Sequence, residues 1–84
     1  MTMNDRILDL IERDLNIQLE SRGVNLFDSG LIDSAMFVDL LMLLETEFEI
    51  EVSLEELDPK NFATVDLISD FVESKAAKVN LSLG

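Results

Sequence analysis

The chain is predicted to be all-α, a four-helix bundle of three longer helices and one short one. Its 84 residues suffice for one small domain and no more. Two observations carry the prediction. Apolar residues recur at three- and four-residue spacing in three separate stretches, the signature of amphipathic helices. The one alternating run, Glu45 to Val52, has no partner strand elsewhere, and an isolated strand is not stable.

In the first helix Ile7, Leu8, Ile11 and Leu15 form the apolar face, with Asp9, Glu12 and Arg13 opposite. Thr2 or Asn4 caps it, and it is expected to end between Asn16 and Glu20, since Gly23 breaks the pattern soon afterwards. A long loop follows, in which Val24, Leu26 and Phe27 are apolar anchors; anchors of this kind favour an ordered loop. The second helix begins at Ser34 and carries Phe37, Leu40, Leu41, Leu44 and Phe48 on one stripe. From Ala35 to Leu44 only Asp39 is polar, so the few other helices cannot cover every side; Met36, Val38 and Met42 are expected to be at least partly exposed. Glu45 to Val52 reads as a charged helix end running into an irregular connection. Ser53-Leu54-Glu55-Glu56 has the form of a capping box and starts a helical turn, and Pro59 suits the first turn of another. Thr64 caps a last helix whose Val65, Ile68, Phe71 and Val72 face inward; Asp66 complements its dipole at one end, Lys75 and Lys78 at the other. Residues 79–84 show no pattern and are expected to fray.

Composition excludes several kinds of chemistry. There is no cysteine and no histidine, which removes disulfides, thiolate metal sites, the usual general base and the commonest neutral metal ligand. A net charge of -12 is wrong for nucleic acid or an anionic membrane surface, and suits basic protein partners. The N-terminus lacks the basic and apolar regions of a signal peptide, and no run of about 18 apolar residues could span a bilayer. The chain is read as cytoplasmic. Asp28 to Asp33 lacks the acidic spacing of a calcium loop. The remaining carboxylates are scattered over helix faces, so no catalytic residues and no metal site are assigned.

Ser34 is the candidate site. It follows Asp33 where the irregular stretch gives way to the second helix. A serine at a helix start commonly caps it, its oxygen accepting from a free N–H two or three residues on. Alternatively, an exposed hydroxyl at the positive end of the helix dipole is a good seat for a phosphodiester.

Phe27-Asp28-Ser29-Gly30-Leu31-Ile32-Asp33-Ser34, followed by a helix through Leu44-Glu45-Thr46-Glu47-Phe48, resembles the acyl and peptidyl carrier proteins, the phosphopantetheine-binding family. The resemblance spans nearly the whole chain, residues 1–84 as a single carrier domain. Leu57 to Thr64 is similar to the short third helix and turn of stand-alone D-alanyl, aminoacyl and methoxymalonyl carriers. It implies the acyl-carrier type of four-helix bundle, with 4'-phosphopantetheine on Ser34, delivered from coenzyme A by a phosphopantetheinyl transferase that recognises Asp33. The arm's thiol would hold acyl or aminoacyl groups as thioesters for loading enzymes and downstream synthases or transferases. The pathway would be polyketide, nonribosomal peptide or D-alanylation chemistry, and the carrier a monomer and not an enzyme. The second helix would be the docking surface, through Ala35, Met36, Val38, Asp39, Met42 and Glu45.

The family often has Leu directly after the serine and more acidic residues along the second helix, where this chain has Ala35, Met36 and Val38. Its docking face is thus more apolar than in fatty-acid carriers. Partners are expected to bind with weaker salt dependence, and fatty-acid synthase enzymes to use it poorly. The alternative from another class is an acidic helical interaction module in which Ser34 is only a helix cap.

Overall fold

The computed structural model describes the backbone of residues 2–83 and the side chains of residues 2–76. It is all-helical: α1 (Met3–Asp14), α2 (Ser34–Phe48), two 3-10 turns, η1 (Leu54–Glu56) and η2 (Pro59–Phe62), and α3 (Val65–Leu83), with no strand among the described residues. The described residues hold three α-helices and not four: Leu57 to Thr64, where the short helix was expected, forms the 3-10 turn η2, and the separately expected turn at Ser53 to Glu56 is η1. Asp58 caps η2, its carboxylate accepting from the Lys60 N–H at 3.0 Å, and Pro59 opens that turn as expected. The stretch 79–84 falls among residues whose side chains lie outside those described.

Each helix begins where a side chain can satisfy its free N–H groups. Thr2 and Asp5 form a reciprocal capping box on α1, which decides between the two candidate caps there. The helix ends earlier than the sequence implied. Its last residue is Asp14, and Asn16 turns left-handed at φ 56°, a conformation that asparagine tolerates better than most residues. At the other end of the chain Thr64 Oγ1 accepts from the Leu67 N–H at 3.2 Å and starts α3. Glu45 to Val52 forms no strand: α2 continues to Phe48 and stops at Glu49, φ 52°.

The core is built where α3 packs on α1, α2 and η2. Ile7, Leu10, Ile11, Leu40, Leu44, Phe62, Val65, Ile68 and Val72 are all closed to solvent. Phe62 is the largest of them and lies in a row of edge-on aromatic contacts, Phe27–Phe37 at 5.4 Å, Phe37–Phe62 at 5.4 Å and Phe62–Phe71 at 4.9 Å. That row joins the loop before α2 to α3. Phe27 is only half-buried, and Phe37, Phe48 and Phe71 also lie at the core's margin. Ile17 and Ile32, which have no helical periodicity to announce them, are buried.

Polar ties hold the margins. Arg13 bridges from α1 to Glu47 of α2 at 3.4 Å, and Arg6 lies over the Phe48 ring at 4.6 Å. Lys75 does not serve a helix terminus. Its ammonium donates to Glu56 at 2.6 Å, fastening η1 to α3.

Candidate functional site

Residues 15–33 are held by backbone and side-chain hydrogen bonds that sequence periodicity cannot reveal. Asn25 Oδ1 accepts from the Phe27 N–H at 3.0 Å and the Asp28 N–H at 2.9 Å, closing a turn of the kind Asn and Asp side chains favour. Leu26, fully buried, donates its N–H to the Ala63 carbonyl at 2.7 Å and accepts from the Ile32 N–H at 3.0 Å. Gly30 takes φ 80°, where a side chain would strain the backbone, and its N–H returns to the Phe27 carbonyl. The chain therefore reaches Ile32, and then Asp33, from a fixed direction.

Asp33, not Ser34, is the N-cap of α2. Its backbone is extended, and its Oδ1 accepts from the Met36 N–H at 2.9 Å. Ser34 is the first helical residue. The capping role that sequence reasoning offered as the ordinary account of Ser34 therefore falls, because the residue before it already does that work. Ser34 is exposed, and among the described residues its hydroxyl has no hydrogen-bond partner. The N–H groups of Ser34 and Ala35 likewise have no acceptor among the described residues, as is usual for a first turn. A free hydroxyl beside free N–H donors at the positive end of a 15-residue helix fits a phosphodiester chemically.

Along α2 from this point, Ala35, Val38, Asp39 and Met42 are exposed and Met36 is half-buried. Val38 is 53% and Met42 59% exposed, as the lack of covering helices implied. Met42 also joins Leu43, Leu15, Asp39, Asp14 and Thr46 around a groove of about 350 Å³ between the end of α1 and α2. Glu45 is differently placed from the others. It is half-buried, and its carboxylate accepts from the Val52 N–H at 3.0 Å, tying down the connection after α2.

At η1 the predicted pair is in contact. Glu56 accepts from the Ser53 N–H at 3.1 Å and from Lys75, and these two partners hold its carboxyl at about 2, from an ordinary value of 4.5, the Lys75 hydrogen bond contributing most.

The model of the family described as "Phosphopantetheine attachment site" matches residues 5–72, a span that contains the whole Asp33–Ser34 junction. The chain belongs to the phosphopantetheine-binding carrier family. Its relatives include the D-alanyl carrier protein of Staphylococcus saprophyticus, 35% identical over 75 residues, covering 87% of this chain and 96% of the relative. The D-alanyl carrier protein of Staphylococcus xylosus is 32% identical over the same shares. That of Bacillus mycoides is 33% identical over 66 residues, 76% of this chain and 84% of the relative. As in the rest of its family, the carrier's cofactor is covalently attached 4'-phosphopantetheine. Carriers of this family work with a phosphopantetheinyl transferase and loading enzymes. No helix among the described residues is long and apolar enough to cross a membrane.

Sequence reasoning missed Asn25 and Ile32 in this site. Asn25 had a signal, since Asn in a loop often turns the chain by accepting N–H bonds two and three residues on. Ile32 had none, because burial there depends on where the loop lands.

Proposed function

We propose that Ser34 is the residue that carries 4'-phosphopantetheine and that the thiol of the arm holds an aminoacyl group as a thioester. The observation that carries this is the exposed Ser34 hydroxyl on the first turn of α2, without a partner among the described residues and inside the matched span. In the transfer, Ser34 Oγ attacks the phosphorus of coenzyme A that bears the pantetheine. The Oγ–P bond forms, the P–O bond to the nucleotide breaks, and the adenosine bisphosphate leaves. The hydroxyl proton passes to a base of the transferase. The chain has no histidine to receive it. It is a substrate of enzymes and not itself a catalyst.

The arm, once attached, supplies a thiol that forms and gives up thioesters. What the chain contributes is position: one tethered thiol presented at high effective concentration to several enzymes in turn. The D-alanyl carrier relatives support an aminoacyl cargo of the D-alanine type, and we take that pathway over the polyketide and nonribosomal peptide options. Asp33 serves transferase recognition beside its capping bond. Ala35, Met36, Val38, Asp39 and Met42 form the docking face, with Glu45 at its edge. The carrier acts as a monomer in the cytoplasm, its net charge of -12 opposing self-association.

The test is incubation with coenzyme A, magnesium and a broad-specificity phosphopantetheinyl transferase, followed by intact mass and peptide mapping. One phosphopantetheinyl group on the peptide containing Ser34, absent from Ser34→Ala, is the expected result. Modification of Ser34→Ala at the same rate would remove Ser34 from the mechanism. A loading assay on the modified protein then compares D-alanine with fatty acids, and faster loading of the fatty acids would overturn the aminoacyl assignment.

A further inference from the structure

We propose that Asn25 is a positioning residue for the modification of Ser34, holding the approach to α2 so that the hydroxyl is presented in one place. The proposal rests on Ser34 being the attachment site. Asn25 is half-buried, and its Oδ1 accepts from two backbone donors, the N–H groups of Phe27 and Asp28. That turn brackets Leu26, whose backbone bonds in two directions. Its N–H reaches Ala63, the residue before the Thr64 cap of α3, and its carbonyl takes the N–H of Ile32. Ile32 is 3% exposed and is followed directly by Asp33, whose carboxylate sets the first turn of α2.

Four steps therefore connect Asn25 to Ser34: the turn, the Leu26–Ile32 bond, the burial of Ile32 and the Asp33 cap. Without the Asn25 oxygen, the Phe27 and Asp28 N–H groups must turn to water, and the start of the segment entering α2 loses its two side-chain bonds, leaving the Leu26 bonds, the Gly30–Phe27 bond and buried Ile32 to hold it. The loop stays tethered, but the direction in which it delivers Asp33 and Ser34 becomes variable. In-line attack on phosphorus is sensitive to such variation, since a misplacement of about 1 Å can cost on the order of a hundredfold in rate.

The experiment uses the full chain with Asn25→Ala, Asn25→Asp and Asn25→Ser, and with Thr2→Ala as a control that removes a cap at the far end of the sequence. Arm transfer by one transferase is followed by mass, with kcat and KM separated, alongside circular dichroism and hydrogen exchange of the Ile32 and Met36 amides. Asn25→Ala is expected to lower kcat by roughly ten- to a hundredfold with little change in KM, to exchange faster at both amides, and to keep its helical content. Asn25→Asp keeps the acceptor oxygen and restores transfer, and Asn25→Ser, a weaker acceptor, falls between. Thr2→Ala transfers like wild type. Transfer by Asn25→Ala at the wild-type rate would overturn the proposal, as would an equal loss in Thr2→Ala. If Asn25→Ala fails to fold, the order of Asn25→Asp above Asn25→Ser still decides, and its reversal overturns the proposal. Wild-type protein that takes no arm at Ser34 refutes the attachment site itself, a distinct result from a modified wild type with indifferent Asn25 variants.

Discussion

Asp33 commits its Oδ1 to the Met36 N–H, and the Ser34 hydroxyl beside it has no partner among the described residues. Neighbouring substitutions should therefore behave oppositely. Ser34→Ala should change stability by less than about 0.5 kcal/mol, since it removes no bond among the described residues, while abolishing modification. Asp33→Ala should cost about 1 kcal/mol through the lost cap. Urea denaturation of the two variants checks both values. A loss of about 1 kcal/mol in Ser34→Ala would return the cap to Ser34. Glu56 allows a prediction with a sign. Its carboxyl is lowered from 4.5 to about 2 by Lys75 and Ser53, so the stability it contributes is whole above pH 4.5 and is lost as pH falls through about 2. The melting temperature of wild type should exceed that of Lys75→Met near neutrality, and the gap should close on acidification. A gap that widens in acid would contradict the pairing.

At the scale of elements, α2 carries the greatest tension between stability and use. Its C-terminal end holds Glu45, Glu47 and Glu49, all unfavourable at the negative end of a helix dipole, and Glu49 closes it in a left-handed conformation that suits glycine. Glu49→Gly should therefore stabilise the protein by up to about 1 kcal/mol, seen as a higher denaturation midpoint. The exposed Val38 and Met42 point to another outcome: Val38→Asp with Met42→Asp should leave the melting temperature nearly unchanged and slow loading by the cognate enzyme. Unchanged loading would take the docking face elsewhere. Most of α2 was readable from sequence, because a stripe at helical spacing and an apolar surplus together require partly exposed methionine and valine. Its start at Ser34 was read correctly, but which residue caps it was not. Asp33 and Ser34 are both good caps, and only backbone geometry shows which one is extended and which helical.

Over the whole molecule, Phe62 is the common point of α2, α3 and the turns between them. Phe62→Ala should cost about 3–5 kcal/mol, a large part of the stability of so small a domain, measured by denaturation. The sequence by itself determined that the chain is all-helical, where its three long helices lie, that it has no thiol or imidazole chemistry of its own, and that Ser34 lies at a helix start in a carrier-like setting. Those properties are local: periodicity, composition and residue order survive without knowledge of what packs on what. The tertiary structure decided the rest. It made a 3-10 turn of the segment expected to be the short helix, ended α1 at Asp14, buried Ile17 and Ile32, paired Lys75 with Glu56, and gave the cap to Asp33. Each of these depends on a partner distant in sequence or on a dihedral angle that several residue types can adopt. Asn25 shows the boundary most clearly: asparagine favours turns in general, but the Leu26 bonds to Ala63 and Ile32 are what connect this turn to Ser34.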